Sequence, residues 1–176
     1  MIVNSAALIV VAGLPGSGKS AIAEAAARRL GCGVVSVDPL EAAMWQAGIA
    51  RAQPTGLAAY VVAEAVAREQ LQLGHDVIVD AVNDVEPARQ QWRDLAEQMG
   101  VRVLFVEVVA SDPVEHRRRL EARRRDIAGF PEPSWESIDA RRAGFAEWED
   151  DRLRLDFLTD AAANTELIVA AVERAR

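Results

Sequence analysis

A chain of 176 residues, 51% hydrophobic and 27% charged, has an ordinary globular composition, and its length suits one domain that buries roughly 70% of its unfolded surface. The net charge of −7 argues against a nucleic-acid partner, because nucleic-acid-binding domains usually carry a basic excess. Cys32 is the only cysteine, which excludes an internal disulfide, and no run approaches the ~20 apolar residues of a membrane span, so a cytoplasmic protein is expected.

Residues 2–12 are mostly apolar, but no positive region precedes them and Asn4 and Ser5 interrupt them. They read as the approach to a first strand over 8–12 rather than as a secretion signal. Residues 13–20 follow directly and spell Gly-Leu-Pro-Gly-Ser-Gly-Lys-Ser, the phosphate-cradling pattern G-x-x-x-x-G-K-[ST]. An alanine-rich helical stretch comes next. Strand, loop and helix in that order present several backbone N–H groups and a positive dipole end to one anion. Gly13, Pro15, Gly16, Ser17 and Gly18 therefore read as a nucleotide-binding loop. Lys19 would reach the β- and γ-phosphates, and the Ser20 hydroxyl would ligate Mg²⁺.

A second strand is expected over 34–37, followed by Asp38 and a helix from Pro39. Asp38 should stand at the carboxyl edge of a strand next to the phosphate loop, where a carboxylate can take the proton of an attacking hydroxyl. It also suits the cap of that helix, and the two roles are compatible. A third strand, 77–80, ends in Asp80, a position that suits Mg²⁺ or its water shell beside Ser20. Asp84 is the rival for that role, and Asn83 is a candidate contact for substrate or nucleotide.

The fourth strand spans 101–109, and Asp112-Pro113 reads as the capped start of a helix. Six arginines crowd its far end: Arg117, Arg118, Arg119, Arg123, Arg124 and Arg125. Arg119 and Arg123 are four apart and share a face, with Arg118 and Arg125 off it. They read as a pair that holds nucleotide and stabilises charge on the transferring phosphoryl group, or else as part of a solvated helix end whose cations complement the dipole and pair with Glu115 and Glu121. Residues 126–134 hold a glycine and two prolines, which forbid a regular element, and Arg141 and Arg142 beyond them would close over phosphate from the other side. A fifth strand is expected over 153–157, with Asn164-Thr165 opening the last helix. Gly31, Gly48, Gly74 and Gly100 each follow a helical pattern and suit its left-handed stop. His75 and His116 read as surface residues. Trp92 reads as packing, and Trp135 as lining a lid.

Alternating strands and helices of this period give a parallel sheet wound on both faces, with ligands beyond the carboxyl ends of the strands. The full expectation is an α/β domain over residues 1–176: a five-stranded parallel sheet with helices on both faces and a short Arg-rich helical lid at about 119–142.

The loop at 13–20, Ser36-Val37-Asp38, Val-Ile-Val-Asp at 77–80 with Asn83, and Arg119-x-x-x-Arg123 together resemble the small phosphate-loop kinases. More narrowly, they resemble the AAA-type small ATPases that include polynucleotide-kinase-like, zeta-toxin-like and chloramphenicol-phosphotransferase-like proteins. The resemblance implies that Asp38 is the base for the acceptor hydroxyl and that Arg119 and Arg123 hold nucleotide from a lid. The expected activity is an ATP- and Mg²⁺-dependent transfer of the γ-phosphoryl group to a hydroxyl of a small molecule, with Lys19, Asp38 and Arg123 catalytic. A kinase of polynucleotide 5′-hydroxyls and a regulatory ATPase without an acceptor are the alternatives.

Overall fold

The computed structural model describes residues 6–122 and 133–175. All five expected strands form: β1 (Ala7–Ala12), β2 (Gly33–Ser36), β3 (Val77–Asp80), β4 (Arg102–Val109) and β5 (Leu153–Asp156). They make one parallel sheet in the order β2-β3-β1-β4-β5. The helices are α1 (Lys19–Leu30), α2 (Val37–Gln46), α3 (Thr55–Gln72), α4 (Glu86–Met99), α5 (Pro113–Ala122), α6 (Trp135–Ala146) and α7 (Ala161–Ala175). The architecture is α/β, one parallel sheet with helices on both faces, as expected.

Strand β1 lies at the centre because it is apolar on both sides. Its alternate residues feed two cores. Leu8, Val10 and Ala12 meet Ala59, Ala63, Ala67 and Leu71 of α3 and Trp92 and Leu95 of α4. Ala7, Ile9 and Val11 meet Ile22, Ala23 and Ala26 of α1 and Ile168 and Val172 of α7. The three alanines of α3 recur every fourth residue and are fully buried, so their small side chains let the long helix lie close to the sheet. Each large side chain buried here contributes about 1.5–3 kcal/mol.

Helix ends follow the glycines. Gly31 and Gly100 stop α1 and α4 in the left-handed region, at φ 69° and 62°. The Asp112 carboxylate caps α5 by accepting from the Val114 and Glu115 amides at 2.9 and 3.1 Å. Two expected boundaries move. Val37 belongs to α2 rather than to the second strand, so Asp38 is the second residue of the helix and Ser36 flanks it. The last helix starts at Ala161, with Asp160 capping the Ala162 and Ala163 amides, while Asn164 is buried inside it and donates to the Asp156 carbonyl at 2.9 Å.

Among the described residues, no helix is long and apolar enough to cross a membrane.

Candidate functional site

The loop at 13–20 joins the carboxyl end of β1 to α1, and its backbone takes the shape its glycines permit. Gly16 and Gly18 lie at φ 84° and 82°, and Gly18 caps α1. Gly13 is needed for space: a Cβ there would come within 2.8 Å of both the Val108 carbonyl oxygen and Ser17 Oγ. The first turn of α1 carries no acidic residue, so the positive end of the helix is left for an external anion. A cleft of about 370 Å³ opens beside Gly16, Gly18, Lys19 and Ser20, and Arg118 and Arg119 of α5 line its other side.

Lys19 is buried, and its Nζ lies 3.9 Å from Asp80 Oδ1. The pairing follows from topology, because β3 lies beside β1 and Asp80 is in register with Val11. Ser36 of β2, the next strand out, donates from Oγ to Asp80 Oδ2 at 3.3 Å and orients the carboxylate. The other oxygen, Oδ1, and Ser17 Oγ are buried without a hydrogen-bond partner. A buried carboxylate oxygen left open beside a phosphate loop fits a divalent cation or its water shell. Among the described residues, no group of three or more His, Cys, Asp or Glu could hold a metal ion alone. Ser20, the second residue of α1, lines the same cleft.

Asp38 does not stand next to the phosphate-loop strand as expected. Strand β3 intervenes, so Asp38 is two strands away from β1, roughly 10 Å at the usual strand spacing. Its charge reaches the hydroxyl of Tyr60 on α3. Burial pushes the Tyr60 pKa up, and the Asp84 and Asp38 carboxylates push it the same way, while Arg141 opposes them. Arg141 Nε lies 3.9 Å from Asp84 Oδ2. Asp38, Tyr60, Asp84 and Arg141 thus share one electrostatic environment beyond the ends of β2 and β3.

Asn83 turns out to be a structural anchor. It is fully buried at φ 55°, and its Oδ1 accepts from Trp92 Nε1 at 2.9 Å. Its N–H donates to the Tyr60 hydroxyl at 3.2 Å, and its carbonyl accepts from Arg89 Nη1 at 3.2 Å. The same Arg89 nitrogen donates to the Gly144 carbonyl of α6 at 3.3 Å, which ties the loop after β3 to α6. Trp92 is fully buried packing, as expected.

Arg119 donates to Glu115 Oε1 at 2.8 Å and to the Phe157 carbonyl at 3.3 Å, with its guanidinium 4.5 Å from the Phe157 ring centroid. Arg118 was expected off the nucleotide face but lines the cleft with Arg119, held by two 2.6 Å bonds to Glu115. Those bonds to Arg118, with the one from Arg119, hold the Glu115 pKa down at about 2. Arg123 lies outside the described residues, as do Arg124 and Arg125.

The expectation for His116 is overturned. It is fully buried rather than a surface residue, its Nε2 lies 2.8 Å from the Pro15 carbonyl, and Arg142 Nη2 lies 3.1 Å from its Nδ1. His75 is exposed, as expected. Arg142 is therefore engaged with the loop's support, and Trp135 packs edge-on against His116 at 5.3 Å.

The AAA domain family matches residues 8–146, which is most of the chain and includes the phosphate loop, Asp38, Asp80 and α5. The chain belongs to this AAA domain family. Solved structures agree in fold. A protein from Chloroflexus aurantiacus superposes with a TM-score of 0.77 at 20% identity, over 98% of each chain. Kti12 of Chaetomium thermophilum, solved with ADP-AlF3, gives 0.72 at 20% identity over 96% of this chain and 98% of its own. The Mycobacterium tuberculosis APS kinase CysC, solved with AMPPNP and APS, gives 0.69 at 19% identity over 96% and 98%. No curated protein matches the chain. The family and these likenesses together give a kinase-like phosphate-loop fold.

Proposed function

We propose that this AAA domain protein is an ATP- and Mg²⁺-dependent kinase that transfers the γ-phosphoryl group to a hydroxyl of a small molecule. The observation that carries the reading is the buried Lys19–Asp80 pair under the phosphate loop, with Asp38 two strands away from that loop's own strand. A triphosphate on the loop would take Lys19 as counter-charge and the amides of residues 16–20 as donors. Mg²⁺, held by Ser20 and Asp80 together with phosphate, would neutralise charge on the β- and γ-phosphates.

The acceptor occupies the space among Asp38, Tyr60, Asp84 and Arg141. Asp38 accepts the hydroxyl proton as the acceptor oxygen bonds to the γ-phosphorus. The bridging oxygen to the β-phosphorus then departs with ADP. Arg119, with Arg123 as the expected second member, stabilises the equatorial oxygens from a lid formed within 119–142. Closure of that lid excludes water, which would otherwise take the phosphoryl group. The single cysteine suits a reducing cytoplasm.

A screen of hydroxyl compounds with γ-labelled ATP tests the proposal. Label transferred to a small polyol or sugar, with Mg²⁺ required, supports it. Transfer only to nucleic-acid 5′-hydroxyls, or slow hydrolysis with no acceptor at all, overturns it in favour of an end-kinase or a regulatory ATPase.

A further inference from the structure

One buried titratable group has no part in the chemistry above. His116 is fully buried on α5 and touches the phosphate loop at Pro15. Its two ring nitrogens have different partners, and the partners fix its state. A guanidinium can only donate. Arg142 Nη2, 3.1 Å away, therefore requires Nδ1 to be a bare acceptor. The proton must then sit on Nε2, which donates to the Pro15 carbonyl at 2.8 Å. The ring is neutral and in one tautomer.

The support extends outward. Arg142 donates from Nε to Asp139 Oδ1 at 3.0 Å, and its guanidinium lies 5.3 Å from the Trp135 ring centroid. Trp135 and Phe157 meet the imidazole edge-on, at 5.3 and 6.2 Å between centroids. A Cβ on Gly16 would lie 3.4 Å from the imidazole, so the ring rests directly on the loop backbone.

We infer that His116, oriented by Arg142, is a positioning residue of the phosphate loop: its Nε2–H anchors the Pro15 carbonyl and so sets the direction of the Gly16 N–H. The reason is the planar trans peptide, in which the carbonyl of one residue and the N–H of the next belong to one rigid unit and point opposite ways. Holding the Pro15 oxygen toward α5 turns the Gly16 amide away from it. The inference rests on the reading that the loop holds a nucleotide phosphate.

Protonation at Nδ1 would remove the acceptor and set a second cation against Arg142. The charged groups facing the ring from α6 are Arg142 and Asp139, and the loop contributes only the Pro15 carbonyl. Burial is the main force holding the His116 pKa below its usual 6.5; the Pro15 hydrogen bond opposes it, Arg142 assists and Asp139 opposes. The neutral ring therefore persists to lower pH than an ordinary histidine would allow. Protonation there would keep the Nε2–H on Pro15 and lose only the Arg142 contact.

The test is binding of a fluorescent ADP analogue to the full chain at pH 7.5, for wild type, His116→Phe, His116→Gln and Arg142→Ala. Thermal unfolding is recorded for each variant. Loss of one neutral hydrogen bond corresponds to roughly three- to tenfold in affinity. His116→Phe keeps the ring packing and should lose that much. His116→Gln retains an amide donor for Pro15 and should recover most of it at pH 7.5. Arg142→Ala lies on a partly exposed side chain and tests the same device if the Phe variant does not fold. Phe and Ala variants that bind within twofold of wild type, or a His116→Gln variant that binds no better than His116→Phe, overturn the inference. Wild-type protein that binds no ADP overturns the nucleotide reading itself, a result distinct from tight wild-type binding with indifferent variants.

Discussion

Replacing Asp80 by Asn should weaken the ligand-free protein and tighten its hold on metal-free ADP. Lys19 and Asp80 are 3.9 Å apart with side chains only 4% and 6% exposed. Two unit charges at that distance attract by about 4 kcal/mol at an effective dielectric of 20. Lys19 also sits in the first turn of α1, where the helix dipole disfavours a cation. Removing one partner of a buried pair costs about 3–5 kcal/mol. The contact here is longer than a hydrogen bond and a retained Asn dipole offsets part of the loss, so about 2–3 kcal/mol is expected. For a chain of this size that lowers the melting temperature by roughly 4–12 °C.

The diphosphate reverses the deficit, because Lys19 gains an anionic partner that the wild-type lysine already has in Asp80. The variant also no longer sets a carboxylate against the phosphates. In EDTA, the Asp80→Asn protein should bind ADP roughly tenfold more tightly than wild type, a gain of about 1.4 kcal/mol. Thermal unfolding and titration calorimetry in EDTA, each with and without ADP, read both numbers. A melting temperature within about 1 °C of wild type, together with unchanged ADP affinity, would refute the idea that these two side chains hold each other's charge.

Three further outcomes are expected. Lys19→Ala should abolish productive ATP binding, and undiminished turnover in that variant would sink the site assignment. Asp38→Asn should keep ATP affinity while losing roughly 10²–10⁴ in transfer rate, whereas near-wild-type transfer would reduce Asp38 to a helix-start residue. Gly144→Ala should destabilise by about 1–3 kcal/mol, although alanine normally favours a helix by up to about 1 kcal/mol. Its Cβ would land on the Asp84 carbonyl, within 3.0 Å of the carbon and closer to the oxygen. A raised melting temperature would show that α6 does not press on that loop.

Much of the fold was legible because each strand declares itself. Val77-Ile78-Val79-Asp80 has no polar residue until its end, as a doubly covered strand requires, and the φ 69° stop at Gly31 is one that few residues but glycine tolerate. Strand order was not legible. Nothing in Val34-Val35-Ser36 says that β3 will slide between it and β1, because lateral order is set by how helices pack across the sheet. The start of the last helix was misread because Asn164-Thr165 looks like a cap, whereas Asp160 before three alanines carries it.

At the site, the loop and Asp80 could be read directly, since both depend on local spacing. His116 could not. It lies in a run of glutamate and arginine on a helix where only His116 and Leu120 are buried, and its burial comes from α6 returning across it. A faint signal existed in that four-residue spacing, which marks one inward face on an otherwise charged helix. Asn83 shows a second kind of gap: its Oδ1, N–H and carbonyl engage Trp92, Tyr60 and Arg89, a structural role the sequence did not show, while its Nδ2 is buried without a hydrogen-bond partner.

The central place of β1 also governs when the molecule can come into being. Its partners are β3 and β4, so the strand that ends in the phosphate loop waits for residues 77–109 before both edges are satisfied. During synthesis, residues 7–18 therefore emerge with α1 to pack against but no neighbouring strand to pair with. The loop gains its shape only when Val108 arrives to close over Gly13 and α5 follows with His116. Nucleotide competence is acquired late and in one step, and truncations before α5 should give chains that aggregate rather than bind.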